Sequence, residues 1–212
     1  MSAIAIQSSG SGAGTLSIAA PITATNRTLT LPDATTTLVG TDATQTLTNK
    51  TIQGGAITSG TAVASTSGTS IDFTSIPSWV KRVIVMFNGV STNGTSNYLI
   101  QIGAGSVTTT GYLSVSSVNA VSSVGSTAFT TGFGIQNGAT AATTVNQGAV
   151  TIYLLSSNVY VANGLVSNSD VARTVNTAGS ITLGGTLDRV RITTVNGTDT
   201  FDAGSINILY EG

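Results

Sequence analysis

The chain of 212 residues contains no cysteine and no histidine. The first absence removes disulfides and thiol nucleophiles. The second removes the commonest general base and the commonest metal ligand, and with them any ordinary serine triad. Charge is scarce as well: 7% of residues are charged, against roughly 25% in ordinary domains. A net charge of −1 gives no field to hold nucleic acid or an anionic membrane. Between Val83 and Ser169 no side chain is charged at all. A protein without catalysis, metal or cofactor is therefore expected. No apolar run reaches the ~18 residues of a membrane helix, so no membrane insertion is expected. Met1–Ile6 has neither a basic region nor a long apolar run, and a secretory leader is not expected there. The chain reads as soluble and made in a cytosol.

What is present is Thr, Ser, Gly, Asn and Val. Thr and Val favour strands, while Gly and Asn favour turns. Together they predict an all-β protein. Residues 1–14 end in Ser8-Ser9-Gly10-Ser11-Gly12-Ala13-Gly14, a flexible-linker composition. This segment reads either as a loose tail or as an attachment peptide, in which Ile4 and Ile6 order against a neighbouring protein as an added strand.

A short repeat follows within Arg27–Ile52. Asp33-Ala34-Thr35 returns as Asp42-Ala43-Thr44, and Thr37-Leu38 returns as Thr46-Leu47, nine residues apart both times. Such thin β-type units have one apolar row, formed by Leu29, Leu31, Leu38 and Leu47, and no second layer to cover it. Residues 15–68 are accordingly predicted to be a thin intertwined β stalk whose core is shared among several copies of the chain. Gly60–Gly68 reads as a second linker or a lone strand, with a boundary near 68.

From Thr69 the texture changes, and residues 69–212 are predicted to form a head. Strands are expected at Val83–Phe87, Tyr98–Ile102, Gly111–Val115, Ala128–Phe133, Gly148–Leu155, Val159–Val166, Ser180–Leu183, Val190–Val195 and Ser205–Tyr210. Asn-Gly pairs begin at Asn88, Asn93, Asn137, Asn163 and Asn196 and are hairpin signals. Turns every 10 to 15 residues or so predict an antiparallel β-sandwich, jelly-roll-like. Ile206, Ile208 and Tyr210 alternate with Ser205, Asn207 and Leu209, and Leu209 is a candidate for contact with a neighbouring subunit.

Few residues could carry chemistry. Asp199 and Asp202 flank Phe201 and suit either a paired-carboxylate or calcium site or, more simply, a polar turn in which the carboxylates accept backbone N–H bonds. The turn is preferred, because the regular acidic spacing of a calcium loop is missing. Gly103-Ala104-Gly105 and Gly132-Phe133-Gly134 lack the following helix and Lys-Ser/Thr pair of a phosphate loop. Trp79, the only tryptophan, is expected at the edge of the core. Arg82, Arg189 and Arg191 are placed to pair with Asp72, Asp188 or Asp199, or to form a solvated face. Tyr112 and Phe133 sit beside glycines in loop-like sequence. Exposed rings among Asn, Ser and Thr would offer a platform for a sugar face, so these two are the receptor-binding candidates.

Several stretches carry a resemblance. Leu31-Pro32-Asp33-Ala34-Thr35 and Thr46-Leu47-Thr48-Asn49-Lys50-Thr51-Ile52 are similar to stalk segments of bacteriophage tail fibres and related virion fibres. Ile71–Val90 and Gly185–Glu211 resemble the C-terminal domains of such proteins. The resemblance implies a homotrimer. It also implies an N-terminus docked on a baseplate, collar or capsid protein, and a head displayed on the exterior of the virion to meet a bacterial surface glycan or protein. It carries over no receptor residue. The expected function is host attachment without covalent chemistry. The alternatives are a decoration fibre of capsid or collar with no receptor role, and a glycan depolymerase.

Overall fold

The computed structural model describes residues 25, 57–121, 123–137, 142 and 144–212. The nine-residue repeat with Leu29, Leu31, Leu38 and Leu47, and the docking candidates Ile4 and Ile6, lie outside the described residues. Among those described there are fourteen strands and no helix. The first seven are β1 (Ile57–Ser59), β2 (Val63–Ala64), β3 (Ser70–Thr74), β4 (Arg82–Thr92), β5 (Tyr98–Ala104), β6 (Ser106–Val107) and β7 (Leu113–Ala120). The rest are β8 (Ser123–Phe129), β9 (Phe133–Ile135), β10 (Asn146–Ser156), β11 (Val159–Asn168), β12 (Arg173–Thr182), β13 (Arg189–Thr194) and β14 (Phe201–Glu211). The protein is all-β, and every pairing is antiparallel.

Two sheets result. The larger runs β1-β14-β4-β10-β11-β12-β7-β8, with β2 also on β14. The smaller runs β3-β13-β5-β6, with β9 also on β5. Alternation explains how they bury one core. Val83, Val85 and Phe87 of β4, Val150 and Ile152 of β10, and Ile206 and Ile208 of β14 are buried, as are Ile100 and Ile102 of β5 and Val190 and Ile192 of β13. All belong to one cluster. Each such Val or Ile side chain removed from water contributes about 1.5–3 kcal/mol before conformational entropy is charged against it.

The inward row of β4 shifts phase after Phe87, resuming at Val90. A bulge causes this: the register slips against both β14 and β10 at that point. Gly89 there has φ 68°, and Gly204 across from it has φ 88°. A Cβ on Gly204 would lie 2.3 Å from the Gly89 carbonyl oxygen. Only glycine fits, and the extra residue re-aims the strand so that Val90 also points into the core. Asn88-Gly89 is therefore a bulge and not the hairpin turn expected of it. Asn163-Gly164 is no turn either. It lies inside β11 opposite Thr151 and Val150, where a Cβ would meet the Ala149 carbonyl at 2.6 Å. Asn93-Gly94 and Asn196-Gly197 do fall in the β4–β5 and β13–β14 connections.

Other expectations also need adjustment. Ala128–Phe133, read as one strand, is two: β8 ends in the larger sheet, and β9 begins in the smaller. β12 starts at Arg173, well before the expected Ser180. The segment 60–68, read as a linker or lone strand, runs along the last strand. Val63 pairs with Ile206, Ser65 Oγ donates to the Ala203 carbonyl at 2.8 Å, and the Phe201 N–H donates to the Gly68 carbonyl at 2.8 Å. Contacts group Thr51–Gly212 as one unit.

Candidate functional site

The outer face of the smaller sheet carries a groove. Strand register builds it: Ser70 of β3, Thr193 of β13 and Leu99 of β5 form one row, and Asp72, Arg191 and Gln101 form the next. The residues of these two rows are therefore two hydroxyls, an amide, one ion pair and the buried Leu99. The connection carrying Thr131, and the β13–β14 corner with Val195 and Asn196, complete the walls of a cavity of about 480 Å³.

Most of its polar groups are held. Arg191 Nε donates to Asp72 Oδ1 at 2.7 Å, and Nη2 donates to Oδ2 at 3.0 Å. Ser70 Oγ donates to the same carboxylate at 3.2 Å. The hydrogen bond to Asp72 holds the Arg191 guanidinium above its usual range. Asp72 takes two of five guanidinium hydrogens, so the fork is oriented while donors remain for a ligand. Gln101 Nε2 donates to the Thr131 carbonyl at 2.8 Å, and Thr193 Oγ1 donates to the Thr69 carbonyl at 2.8 Å. Gln101 is only 6% exposed, which fixes its amide plane against the groove floor. Such a surface of fixed planar amides, hydroxyls and one oriented guanidinium suits a neutral, polyhydroxylated ligand.

Beside the groove, Arg189 Nε donates to Asp188 Oδ1 at 2.7 Å, and Asp188 Oδ2 accepts the Gly105 N–H at 3.0 Å. The Arg189 guanidinium holds the Asp188 carboxyl below its ordinary value. Both arginines of β13 thus pair with partners named in the sequence. Arg82 does not: it pairs with Glu211 across β4 and β14.

The receptor candidates Tyr112 and Phe133 require correction. They are 1% and 0% exposed, and their rings meet edge to face, with centroids 5.1 Å apart at 89°. The Tyr112 hydroxyl accepts the Ile102 N–H at 2.7 Å and donates to the Ile102 carbonyl at 3.3 Å. Burial pushes its pKa up to about 12. Neither ring presents a face to solvent. Gly111 beside Tyr112 does lie in the β6–β7 connection, with φ 84°, whereas Gly134 beside Phe133 marks close packing: a Cβ there would lie 2.1 Å from the Phe129 ring. Trp79 is 42% exposed and tilts against Tyr210 at 5.9 Å, at the rim of the fold.

Asp199 and Asp202 are engaged separately. Asp199 accepts the Ser96 N–H at 3.0 Å and Asn196 Nδ2 at 2.5 Å, while Asp202 accepts the Ser91 hydroxyl. Asp199 thus fits the polar turn, accepting a backbone N–H, whereas Asp202 lies within β14 and is held by a side-chain hydroxyl. Among the described residues no group of three or more metal-ligating side chains occurs.

The sequence offered Asp72 among three partners for Arg191, with a solvated face as the alternative, and gave no sign of Ser70, Gln101, Thr193 and Asn196 as companions in a groove. The available signal was the alternation of Arg189 and Arg191 with Val190 and Ile192, which marks a wet face on a central strand. No family model, curated protein or solved structure matches the chain.

Proposed function

We propose that the chain is a structural fibre of a bacteriophage particle, a homotrimer whose β-sandwich head recognises a carbohydrate on the host surface without covalent chemistry. On this reading the N-terminal segment, with Ile4 and Ile6, docks on the virion, and the repeat forms the shared stalk. The two antiparallel sheets around one core support the sandwich head. The observation that carries the recognition reading is the groove of the smaller sheet. Its fixed amide at Gln101, hydroxyls at Ser70 and Thr193 and oriented guanidinium at Arg191 match a ligand rich in hydroxyls. Several weak heads on one particle gain strength through multivalency. The chain is displayed on the exterior of the virion.

The test is binding of the purified full chain to an array of bacterial capsular and lipopolysaccharide oligosaccharides. The wild-type chain is expected to bind one glycan class. Arg191→Ala is expected to weaken that binding about tenfold, the size of one charge-assisted hydrogen bond, and Gln101→Ala about fivefold, that of a neutral one. Unchanged binding in both variants would remove the groove. Binding to no glycan by a chain that still adsorbs to cells would point to a protein receptor. No adsorption would favour decoration of capsid or collar.

A further inference from the structure

The outer face of the larger sheet differs in kind from the groove. Register places Leu113, Ser180, Val161 and Tyr153 in one outward row and Val115, Ala178, Asn163, Thr151, Ile84 and Leu209 in the next. A third row contains Leu165 and Met86. Leu113 is 74% exposed, Leu165 54% and Val115 51%. Antiparallel strands with one wet face alternate apolar with polar residues, whereas strands apolar on both sides are covered on both sides. Val83–Phe87 in β4 is apolar at every position.

We infer that this face is covered by another copy of the same chain. Three features select that occupant. The only ionised side chains on these rows are Arg82 and Glu211, and they pair with each other, so identical faces packed around a common axis meet without like-charge repulsion. No unpaired basic group is present there to hold an anionic lipid or nucleic acid. Six strands about 4.8 Å apart, by three rows, present roughly 600 Å², of the order of the ~800 Å² each partner contributes to a standard interface. The inference rests on the multi-copy part of the proposed function but not on the receptor.

The chain lacks cysteine, so single thiols report the face directly. In the full chain, Leu165→Cys is expected to cross-link between copies with a short bismaleimide. It is also expected to alkylate at least tenfold more slowly than Thr74→Cys, on the exposed edge of the smaller sheet. Val115→Cys repeats the test should Leu165→Cys fold poorly by circular dichroism. Equal alkylation with no cross-link overturns the inference, whether the chain runs as one copy or several. If several, the face fails and the fibre reading stands. Protection gained only on adding phosphatidylcholine vesicles to a single-copy chain overturns it too, and assigns the face to lipid.

Discussion

The two sheets share an interior and differ outside. The outer face of the smaller sheet holds part-exposed Arg191 and Asp72 beside buried Gln101 and Thr193, and each is hydrogen-bonded within its own chain. The larger turns out Ile84, Val115, Val161 and Leu165, of which Val115 and Leu165 are about half-exposed. Polar groups held in fixed orientation suit a small hydrophilic ligand. An open apolar face suits permanent coverage. On the proposed reading, one fold separates recognition from self-association by using opposite outer surfaces.

The largest expected effect concerns the shared interior. Phe133→Ala should destabilise the head by about 3–5 kcal/mol in chemical denaturation. A ring serving as an exposed platform would cost less than about 0.5 kcal/mol, so the measurement separates the buried from the exposed reading.

Alkaline pH probes the same interior. Burial pushes both Tyr98 and Tyr112 up to about 12. A phenol whose folded pKa is raised contributes stability that is fully present below its unfolded value near 10 and is lost as pH rises through the folded value. Stability should therefore fall steeply between pH 10 and 12. Tyrosinate absorbance should show two phenols titrating late in the folded chain and normally in denaturant.

Gly204→Ala tests the bulge that bends the larger sheet. Its φ of 88° and the 2.3 Å approach to the Gly89 carbonyl predict a loss of about 1–3 kcal/mol, read as a lowered denaturation midpoint. A smaller effect is expected at the groove. Asp72 and Arg191 are 36% and 38% exposed, so replacing both with alanine should change stability by no more than about 1 kcal/mol. Loss of glycan binding in that double variant then reports recognition and not unfolding.

Much of the fold was legible in local pattern. Val83–Phe87 and Gly148–Leu155 fall in strands, and Val190–Val195 does so up to Thr194, because period-two burial and β-branched residues act locally. Glycine misled twice in the same way. Beside Asn88 and Asn163 it suggested turns, and beside Phe133 it suggested a loop. In the fold Gly89 and Gly164 answer to residues of neighbouring strands, Gly204 and Ala149, and Gly134 answers to the Phe129 ring. The groove was hidden for a related reason. Ser70, Gln101 and Arg191 are brought side by side only by the β3-β13-β5 order, which no local spacing encodes.

Val115 and Val195 make the sharpest single comparison. Both are valines and both are 51% exposed within one chain, but Val115 lies on the apolar face and Val195 at the groove. Hydroxyl-radical footprinting of the full chain, with each site normalised to its own rate in denaturant, measures them together. Strong protection of Val115 with Val195 freely labelled is the expected result. Equal labelling would mean that the larger sheet stands open to water and that its outer face has no partner.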